Sequence, residues 1–243
     1  MQRFLFALGA MMAFASASGQ EINVLSAGAV EPGLRNALAL YTGKVNVTFN
    51  TAPQIRERIE KKGEKYDVLV VPPAVMDAFA EAGRVEADRV TLGRVGQGLA
   101  VRPGAPVPDV ATLDAMKRAL LEAESVVFNR ATGGQYIESM LRKIGVYGEI
   151  EKKTTRYASA GEVMDHLLKG KGREIGFAPI TEIRIYEKKG LKFAGPLPAE
   201  VQQHNTYVAS AMRGGPNAKA AAELVRFLGT PAAKKALVEG GVE

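Results

Sequence analysis

Four short segments rich in small and polar residues each stand between a β-rich run and an amphipathic run. These segments are 26–29, 50–53, 129–134 and 154–159. At a strand-to-helix turn the first N–H groups of the helix are unpaired, and the helix dipole places partial positive charge there. Such turns can bind an anion through backbone and hydroxyl donors. Because these turns meet at the carboxyl edge of a parallel sheet, they predict a ligand cleft there.

The donors in these turns are hydroxyl groups and exposed backbone amides. The candidates are Ser26, Gly28, Thr51, Thr132 and Gly133. Thr51 and Thr132 fit N-cap positions, and Ser159 with Glu162 fits a capping box. Capping alone would equally explain Ser26 and Thr51. The Gly133-Gly134 pair would equally serve backbone geometry.

Two arginines stand beside these turns, and they predict a carboxylate ligand. Arg130 follows Asn129, and Arg156 precedes Tyr157. Guanidinium groups bind carboxylates through two parallel hydrogen bonds. Together with Tyr157 they would suit a small organic acid. The alternative is that both arginines are surface residues beside loops.

Catalysis is the alternative to binding, and it requires an acid or base that faces the cleft. Glu31, Glu182 and His204 are the candidates in this sequence. None of them has a visible partner in sequence, so we predict a protein that is not an enzyme. An enzyme of the dehydratase type on the same architecture, or a ligand-sensing module, stays the second hypothesis.

The composition excludes several other classes of site. The 243 residues contain no cysteine, no tryptophan and two histidines. Disulfides, thiolate metal sites and cysteine nucleophiles are therefore excluded, and we predict no metal and no cofactor. The formal charge of +6 is modest and spread along the chain, so we predict no nucleic-acid partner. The glycines of 93–98 lack the order of a dinucleotide fingerprint.

The first residues read as a targeting segment rather than as part of the fold. Arg3 precedes an apolar run over 4–14, and Ala15-Ser16-Ala17 has the small-x-small pattern of a signal peptidase site. We therefore predict a cleavable signal peptide over 1–19 and a periplasmic mature protein. The alternative is a buried N-terminal helix.

The remaining chain alternates strand-like and helix-like runs, which predicts an α/β fold with parallel sheets. Strands are predicted near 22–25, 45–49, 67–71, 97–102, 125–128, 152–156, 174–178 and 206–211. Helices are predicted near 34–41, 54–62, 74–82, 113–122, 134–144, 160–169, 217–228 and 231–239. Pro/Gly-rich connections near 102–108 and 195–198 place lobe 1 at 20–101 and 206–243, and lobe 2 at 102–205.

The ordered set of these motifs resembles the periplasmic molybdate-binding proteins of ABC importers. The resemblance rests on segments 22–29, 49–55, 66–70, 101–104, 112–114, 174–177, 221–228 and 230–233. It covers essentially the whole chain after the predicted signal peptide. It implies the type 2 periplasmic binding protein fold, in which two lobes are joined by two crossing strands. Each lobe would be a mainly parallel sheet flanked by helices.

The resemblance also implies a function and a set of ligand positions. It implies a monomer that captures a small anion between its lobes and delivers it to an ABC importer permease. The ligand serine of the first turn corresponds here to Ala29, and that of the second to Thr51 or Ala52. A ligand tyrosine of the second lobe corresponds to Pro179. The ligand is therefore a molybdate- or tungstate-like oxyanion by resemblance, or a small organic acid by residue chemistry.

Overall fold

A computed structural model describes residues 21–243, so the predicted signal peptide over 1–19 lies outside the described residues. The strands are β1 (Ile22–Ala27), β2 (Val45–Asn50), β3 (Val68–Val71), β4 (Val85–Val101), β5 (Ser125–Asn129), β6 (Thr154–Tyr157), β7 (Glu174–Pro179), β8 (Lys192–Pro196) and β9 (His204–Met212). The helices are α1 (Glu31–Leu38), α2 (Ala52–Arg56), α3 (Pro73–Glu81), α4 (Leu113–Glu122), α5 (Thr132–Lys143), α6 (Tyr147–Ile150), α7 (Ala160–Lys169), α8 (Ile180–Glu187), α9 (Ala218–Leu228) and α10 (Pro231–Glu239). A π-helical turn over 57–61 extends α2.

The strands of the described chain form one continuous sheet in the order β2-β1-β3-β9-β4-β7-β5-β6, with β8 also paired to β4. Strands β1, β2 and β3 are parallel, and so are β5, β6 and β7. Strands β4, β8 and β9 run antiparallel to their neighbours. The predicted α/β fold class is confirmed, with a central sheet flanked by helices.

The long strand β4 joins the two halves of the sheet. Its residues 85–96 pair with β9, and its residues 97–101 pair with β7 and β8. The change of partner therefore falls between Gly96 and Gln97. The lobe limits stay predictions, with lobe 1 at 20–101 and 206–243 and lobe 2 at 102–205. The change of pairing partner along β4 is the structural observation that is relevant to these limits.

Helices cover both faces of the sheet, and this explains why its central strands are almost entirely apolar. All four residues of β3 are buried. Two apolar clusters lie on opposite faces of the first half of the sheet, one around Leu34 and Leu224 and the other around Met76 and Phe79. Parallel strands that are covered on both faces read as continuous apolar runs.

One buried carboxylate fastens the start of the first half of the sheet. Asp67 is fully buried and accepts hydrogen bonds from the Asn23 N–H at 2.8 Å and the Asn217 N–H at 2.7 Å. It also accepts a bond from Asn217 Nδ2 at 3.2 Å. These bonds tie β1 and the start of α9 to the residue that precedes β3.

Within residues 21–243 no helix combines the length and the apolar character needed to cross a bilayer.

Candidate functional site

A cavity of about 330 Å³ lies between the two halves of the sheet, where strands end and helices begin. Its walls are made by residues 27–29, 31, 49–52, 54, 72, 97, 129, 131–133, 159–161, 179, 182, 205 and 207. The volume is at the lower end of the range for small-molecule sites. The position agrees with the predicted cleft at the carboxyl edge of the parallel strands.

Five helix N-termini reach this cavity from residues within the described part of the chain. They are the 3-10 turn at Gly28 that leads into α1, and the first turns of α2, α5, α7 and α8. Each brings unpaired N–H groups and partial positive charge. Such groups favour an anion without any cationic side chain.

Local capping fixes two of these turns in the sequence-predicted way. Gln54 Oε1 accepts a hydrogen bond from the Thr51 N–H at 2.9 Å and from the Thr51 hydroxyl at 3.0 Å. Ser159 Oγ accepts from the Glu162 N–H at 3.2 Å, which confirms the predicted pair at the start of α7. These caps fix the first turns of α2 and α7, which line the cavity. The N-cap of α5 is Ala131, so the N-cap prediction for Thr132 is wrong.

Seven of the sequence-predicted site residues line this cavity. They are Gly28, Ala29, Thr51, Ala52, Thr132, Gly133 and Pro179. They come from four different turns, so the fold has brought together positions that are up to 151 residues apart in the chain, from Gly28 to Pro179. That they contact a ligand stays a proposal.

The two predicted arginines do not line the cavity, and no arginine clamp is assembled there. Arg130 is exposed beside the start of α5. Arg156 Nη1 lies 2.5 Å from Glu138 Oε2, and its guanidinium lies over the Phe128 ring at 5.4 Å. The ion pair with α5 and the stacking hold Arg156 outside the cavity wall.

Ser26 and Tyr157 also lie outside the cavity wall. Ser26 is fully buried and its hydroxyl donates to the Ala27 carbonyl at 3.1 Å. The Tyr157 hydroxyl lies 2.7 Å from Nδ1 of His166, in a separate surface depression. Each hydroxyl group therefore has a hydrogen-bond partner within its own half of the sheet.

Sequence reasoning missed three polar side chains that line the cavity from β4 and β9, namely Gln97, Asn205 and Tyr207. Gln97 is 2% exposed, and its Nε2 has no hydrogen-bond partner among the described residues. Tyr207 is 5% exposed, and none of the described hydrogen bonds involves its hydroxyl. A buried donor without a partner costs about 1–3 kcal/mol, so the fold keeps the Gln97 amide at a cost. A ligand acceptor would remove that cost.

Among the described residues, two charged side chains line the cavity, and both are acidic. Glu31 and Glu182 line the cavity, whereas the third catalytic candidate, His204, is exposed and borders another depression. Glu31 Oε1 accepts from Arg35 Nε at 2.8 Å, while no hydrogen bond or ion pair is found for Glu182 among residues 21–243. Burial, reinforced by the nearby Glu31 charge, raises the pKa of Glu182 to about 7.

The Glu182 side chain extends from α8, in the second half of the sheet, to Gly28 in the first half. Its Oε1 lies 2.9 Å from the point where a Cβ on Gly28 would sit, so glycine is what permits this approach. The neighbouring Thr181 hydroxyl donates to the Ala29 carbonyl at 2.6 Å in a buried setting. Burial, together with the charge of Glu182, raises the pKa of Tyr207. The first turn of α8 is therefore the contact through which the second half of the sheet reaches α1.

The structure and the sequence are similar to those of known proteins. The periplasmic molybdate-binding protein of Azotobacter vinelandii superimposes with a TM-score of 0.73 at 14% identity, over 91% of this chain and 98% of that protein. A sulfate-binding protein of Mycobacterium tuberculosis gives a TM-score of 0.71 at 16% identity, over 91% of this chain and 85% of that protein. Both likenesses show the two-lobed fold.

A relative that matches most of this chain in sequence is named as an enzyme. The aconitate isomerase of a Pseudomonas species is 26% identical over 231 residues, which are 91% of this chain and 87% of that protein. The profile of the bacterial extracellular solute-binding proteins matches residues 22–243. The predicted resemblance to the molybdate-binding type of solute receptor is thereby confirmed at the level of family and fold. The chain belongs to the family of bacterial extracellular solute-binding proteins.

Proposed function

We propose that this protein is a periplasmic receptor that captures a small carboxylate anion in the cavity and delivers it to an ABC importer permease. The observation that carries the proposal is the convergence of five helix N-termini on a cavity that also holds the unpaired amide of Gln97. Every one of these groups is a hydrogen-bond donor, and an anion is the ligand that accepts from all of them.

Two features of the walls favour an organic acid over a tetrahedral oxyanion. Ala29 and Pro179 stand where the resemblance implies hydroxyl donors, and neither has a side-chain donor. A dehydrated oxyanion dianion needs a donor for each of its oxygens. An organic acid spreads its acceptor oxygens over a larger molecule, which suits donors that come from both halves of the sheet.

A thermal-shift panel tests the proposal with the purified protein. Molybdate, tungstate, sulfate and phosphate stand beside mono-, di- and tricarboxylates. A ligand at a hundred times its Kd stabilises by about 2.7 kcal/mol, which corresponds to roughly 5–10 °C at this chain length. A shift with carboxylates alone supports the proposal, and a shift with molybdate and tungstate alone refutes the organic-acid ligand.

Two matched variants locate the response. Thr132 lines the cavity and is exposed, so T132W fills the space without disturbing the core. Gln135 lies on the same helix, is exposed and lies outside the cavity wall, so Q135W is its control. We expect the ligand-induced shift to disappear in T132W and to persist in Q135W.

Export and the oligomeric state form a separate part of the proposal. The sequence of residues 1–19 supports a cleaved signal peptide, and the family is extracellular. Mass spectrometry of the periplasmic fraction should show an N-terminus near residues 18–20. Light scattering should show a monomer. An intact Met1 in that fraction would contradict the cleavage.

A second candidate function is an isomerase of unsaturated polycarboxylates that works by proton transfer. It is supported by Glu182, a carboxyl in the cavity with a pKa of about 7, and by the aconitate isomerase relative. A base near neutral pKa can take a proton from the methylene next to a carboxylate. The double bond then shifts, the Glu182 carboxyl exchanges its proton with solvent, and it returns a proton to the former alkene carbon. Atoms and charge balance without a cofactor.

Proton NMR of the protein with cis- or trans-aconitate in D₂O distinguishes the two functions. Turnover would interconvert the isomers and incorporate deuterium at the methylene carbon. We expect E182Q to abolish that reaction if Glu182 is the base. Binding without isomerisation or deuterium incorporation would leave the receptor function alone.

A further inference from the structure

Glu182 stands in the wall of an anion cavity without a cation beside it. Its carboxyl reaches across the cavity to within 2.9 Å of the Cβ position of Gly28, and it makes no ion pair within residues 21–243. An ionised carboxylate at this place would repel the anion that the helix N-termini attract. A protonated carboxyl would instead donate a hydrogen bond to it.

The groups that face Glu182 from the packed elements do not supply a counter-charge. Glu31 on α1 and Tyr207 on β9 interact with it, as does Tyr186 on its own helix. Tyr186 in turn contacts Asp165 on α7, which adds a further acidic group. The nearest cation on α1, Arg35, is bound to Glu31. The side chains around Glu182 are therefore acidic or phenolic, and together with burial they outweigh the partial positive charge of the helix N-termini and favour the neutral carboxyl.

Arg184, which lies on α8 with Glu182, also contacts groups outside the cavity. Arg184 lies over the Phe193 ring at 4.3 Å and bonds Glu187 at 2.8 Å. Neither contact involves the cavity wall. Within residues 21–243, no cationic side chain lies in the cavity wall beside the Glu182 carboxyl.

A second, independent observation marks the same space as a ligand site. The Gln97 amide is almost fully buried, lines the cavity and has an Nε2 without a partner. It lies on β4, where it pairs with Pro179 just before α8, and its Nε2 lies 3.0 Å from the point where a Cβ on Gly133 would sit. The Gln97 amide therefore faces the start of α5, whereas the Glu182 carboxyl lies beside Gly28, so a ligand that reaches both groups needs more than one acceptor group.

We propose that Glu182 binds the ligand as a protonated donor, so that the cavity takes a polycarboxylate or hydroxycarboxylate together with one proton. The inference rests on the receptor function proposed above and deepens it. The bound species is an anion plus a proton held on a Glu182 oxygen and shared with a ligand carboxylate. No covalent bond forms, and the proton returns to solvent when the ligand leaves.

Isothermal titration calorimetry measures that proton directly. Succinate and propane-1,2,3-tricarboxylate are the probes, because they are saturated and cannot isomerise. Titrations at pH 7 and pH 8 in two buffers of different ionisation enthalpy give the number of protons taken up. With a pKa of about 7 in the free protein, we expect about one-half of a proton at pH 7 and about nine-tenths at pH 8.

E182Q is the informative variant, because glutamine keeps the size and a donor but cannot titrate. Its proton uptake should fall to near zero. Its affinity at pH 8 should exceed that of the native protein by roughly tenfold, since the native carboxyl must first gain a proton. E187Q is the matched control on the same helix, outside the cavity wall, and it should behave like the native protein.

Each outcome decides between the two proposals. Carboxylate binding with no proton uptake, or with proton release, overturns the role of Glu182 and leaves the receptor function standing. Binding of molybdate or sulfate with no carboxylate binding overturns the ligand class. Absence of binding by every anion at pH 7 and 8 overturns the receptor function itself, and the inference with it.

Discussion

Replacing Gln97 by methionine should have opposite effects on the free protein and on ligand binding. Methionine has nearly the same length and shape as glutamine but no donor. In the free protein the change removes a buried amide nitrogen that has no partner. An unsatisfied buried donor costs about 1–3 kcal/mol, so we expect Q97M to be more stable by that amount. The melting temperature should rise by roughly 2–12 °C.

The same change should weaken ligand binding. A hydrogen bond to a charged acceptor contributes about 1.5–3 kcal/mol, which corresponds to a loss of affinity of roughly 10- to 150-fold. Calorimetry with the carboxylate identified in the panel measures this loss. Differential scanning calorimetry of the free protein measures the gain in stability.

Gln202 supplies a control with the opposite expectation. Its amide is fully engaged, because its Oε1 accepts from the Gln97 N–H at 3.0 Å and its Nε2 donates to the Gln97 carbonyl at 2.9 Å. Q202M leaves the buried Gln97 N–H without an acceptor, while the Gln97 carbonyl keeps the Leu197 N–H as a donor, so the variant should lower stability. If Q97M also lowered stability while leaving affinity unchanged, Gln97 would be a structural residue and our reasoning about the cavity would be refuted.

Four further predictions concern stability and the predicted arginine. Asp67→Ala should lower the free energy of unfolding by about 3–5 kcal/mol in urea, because it leaves three buried N–H donors without an acceptor. Gly134→Ala should disrupt the start of α5 and reduce both stability and ligand affinity, because its Cβ would lie 1.8 Å from the Asn129 carbonyl oxygen. Glu182→Gln should be more stable than the native protein by about 3 kcal/mol at pH 8 but not at pH 4, as unfolding in urea at the two pH values would show. The native carboxyl has a folded pKa of about 7 against 4.5 unfolded, so native stability falls as the pH rises through that window. Arg156→Ala should leave ligand affinity within about twofold by calorimetry and cost at most about 1 kcal/mol, because its ion pair is partly exposed and lies outside the cavity.

Specific results would contradict these four expectations. An Asp67→Ala protein as stable as the native one would mean that water replaces the carboxylate. A Gly134→Ala protein with native affinity would show that the turn can shift. If the gain in stability of the Glu182→Gln protein did not depend on pH, the gain would come from packing. A large loss of affinity in Arg156→Ala would restore the arginine clamp.

The helices with strong local signals were predictable from the sequence. The predicted limits 113–122, 160–169 and 231–239 match α4, α7 and α10. Each of these helices follows a Ser or Thr whose hydroxyl accepts a hydrogen bond from the third residue beyond it. Apolar periodicity and a cap are local properties, so they are visible in a single sequence.

The helix that carries Glu182 was not predicted, and the reason is also local. In α8, Ile180, Ile183 and Ile185 are β-branched residues, which favour strands, and Pro179 precedes them. Packing against α1, α7 and the sheet overrides that preference. The strand residues 85–91 of β4 were missed too, because three of them are charged and the run lacks an apolar pattern.

The side-chain directions at the site depend on contacts that are distant in sequence. The turns and seven of the eleven site residues could be predicted, because each turn follows a recognisable strand. Arg156 could not be placed, since its direction is decided by Glu138 on a helix packed beside it. Gln97 could not be identified, because its position in the cavity depends on the place where β4 changes its partner.

The place of β9 in the sheet determines when the fold can close during synthesis. Strand β9 lies between β3 and β4, although it is made more than a hundred residues after either of them. Until residues 204–212 emerge, the apolar strand β3 keeps an unpaired edge and the first half of the sheet is open. The nascent chain therefore stays incompletely folded until it is nearly complete. If the chain is exported as proposed above, this topology would delay completion of the fold until nearly all of the chain is available.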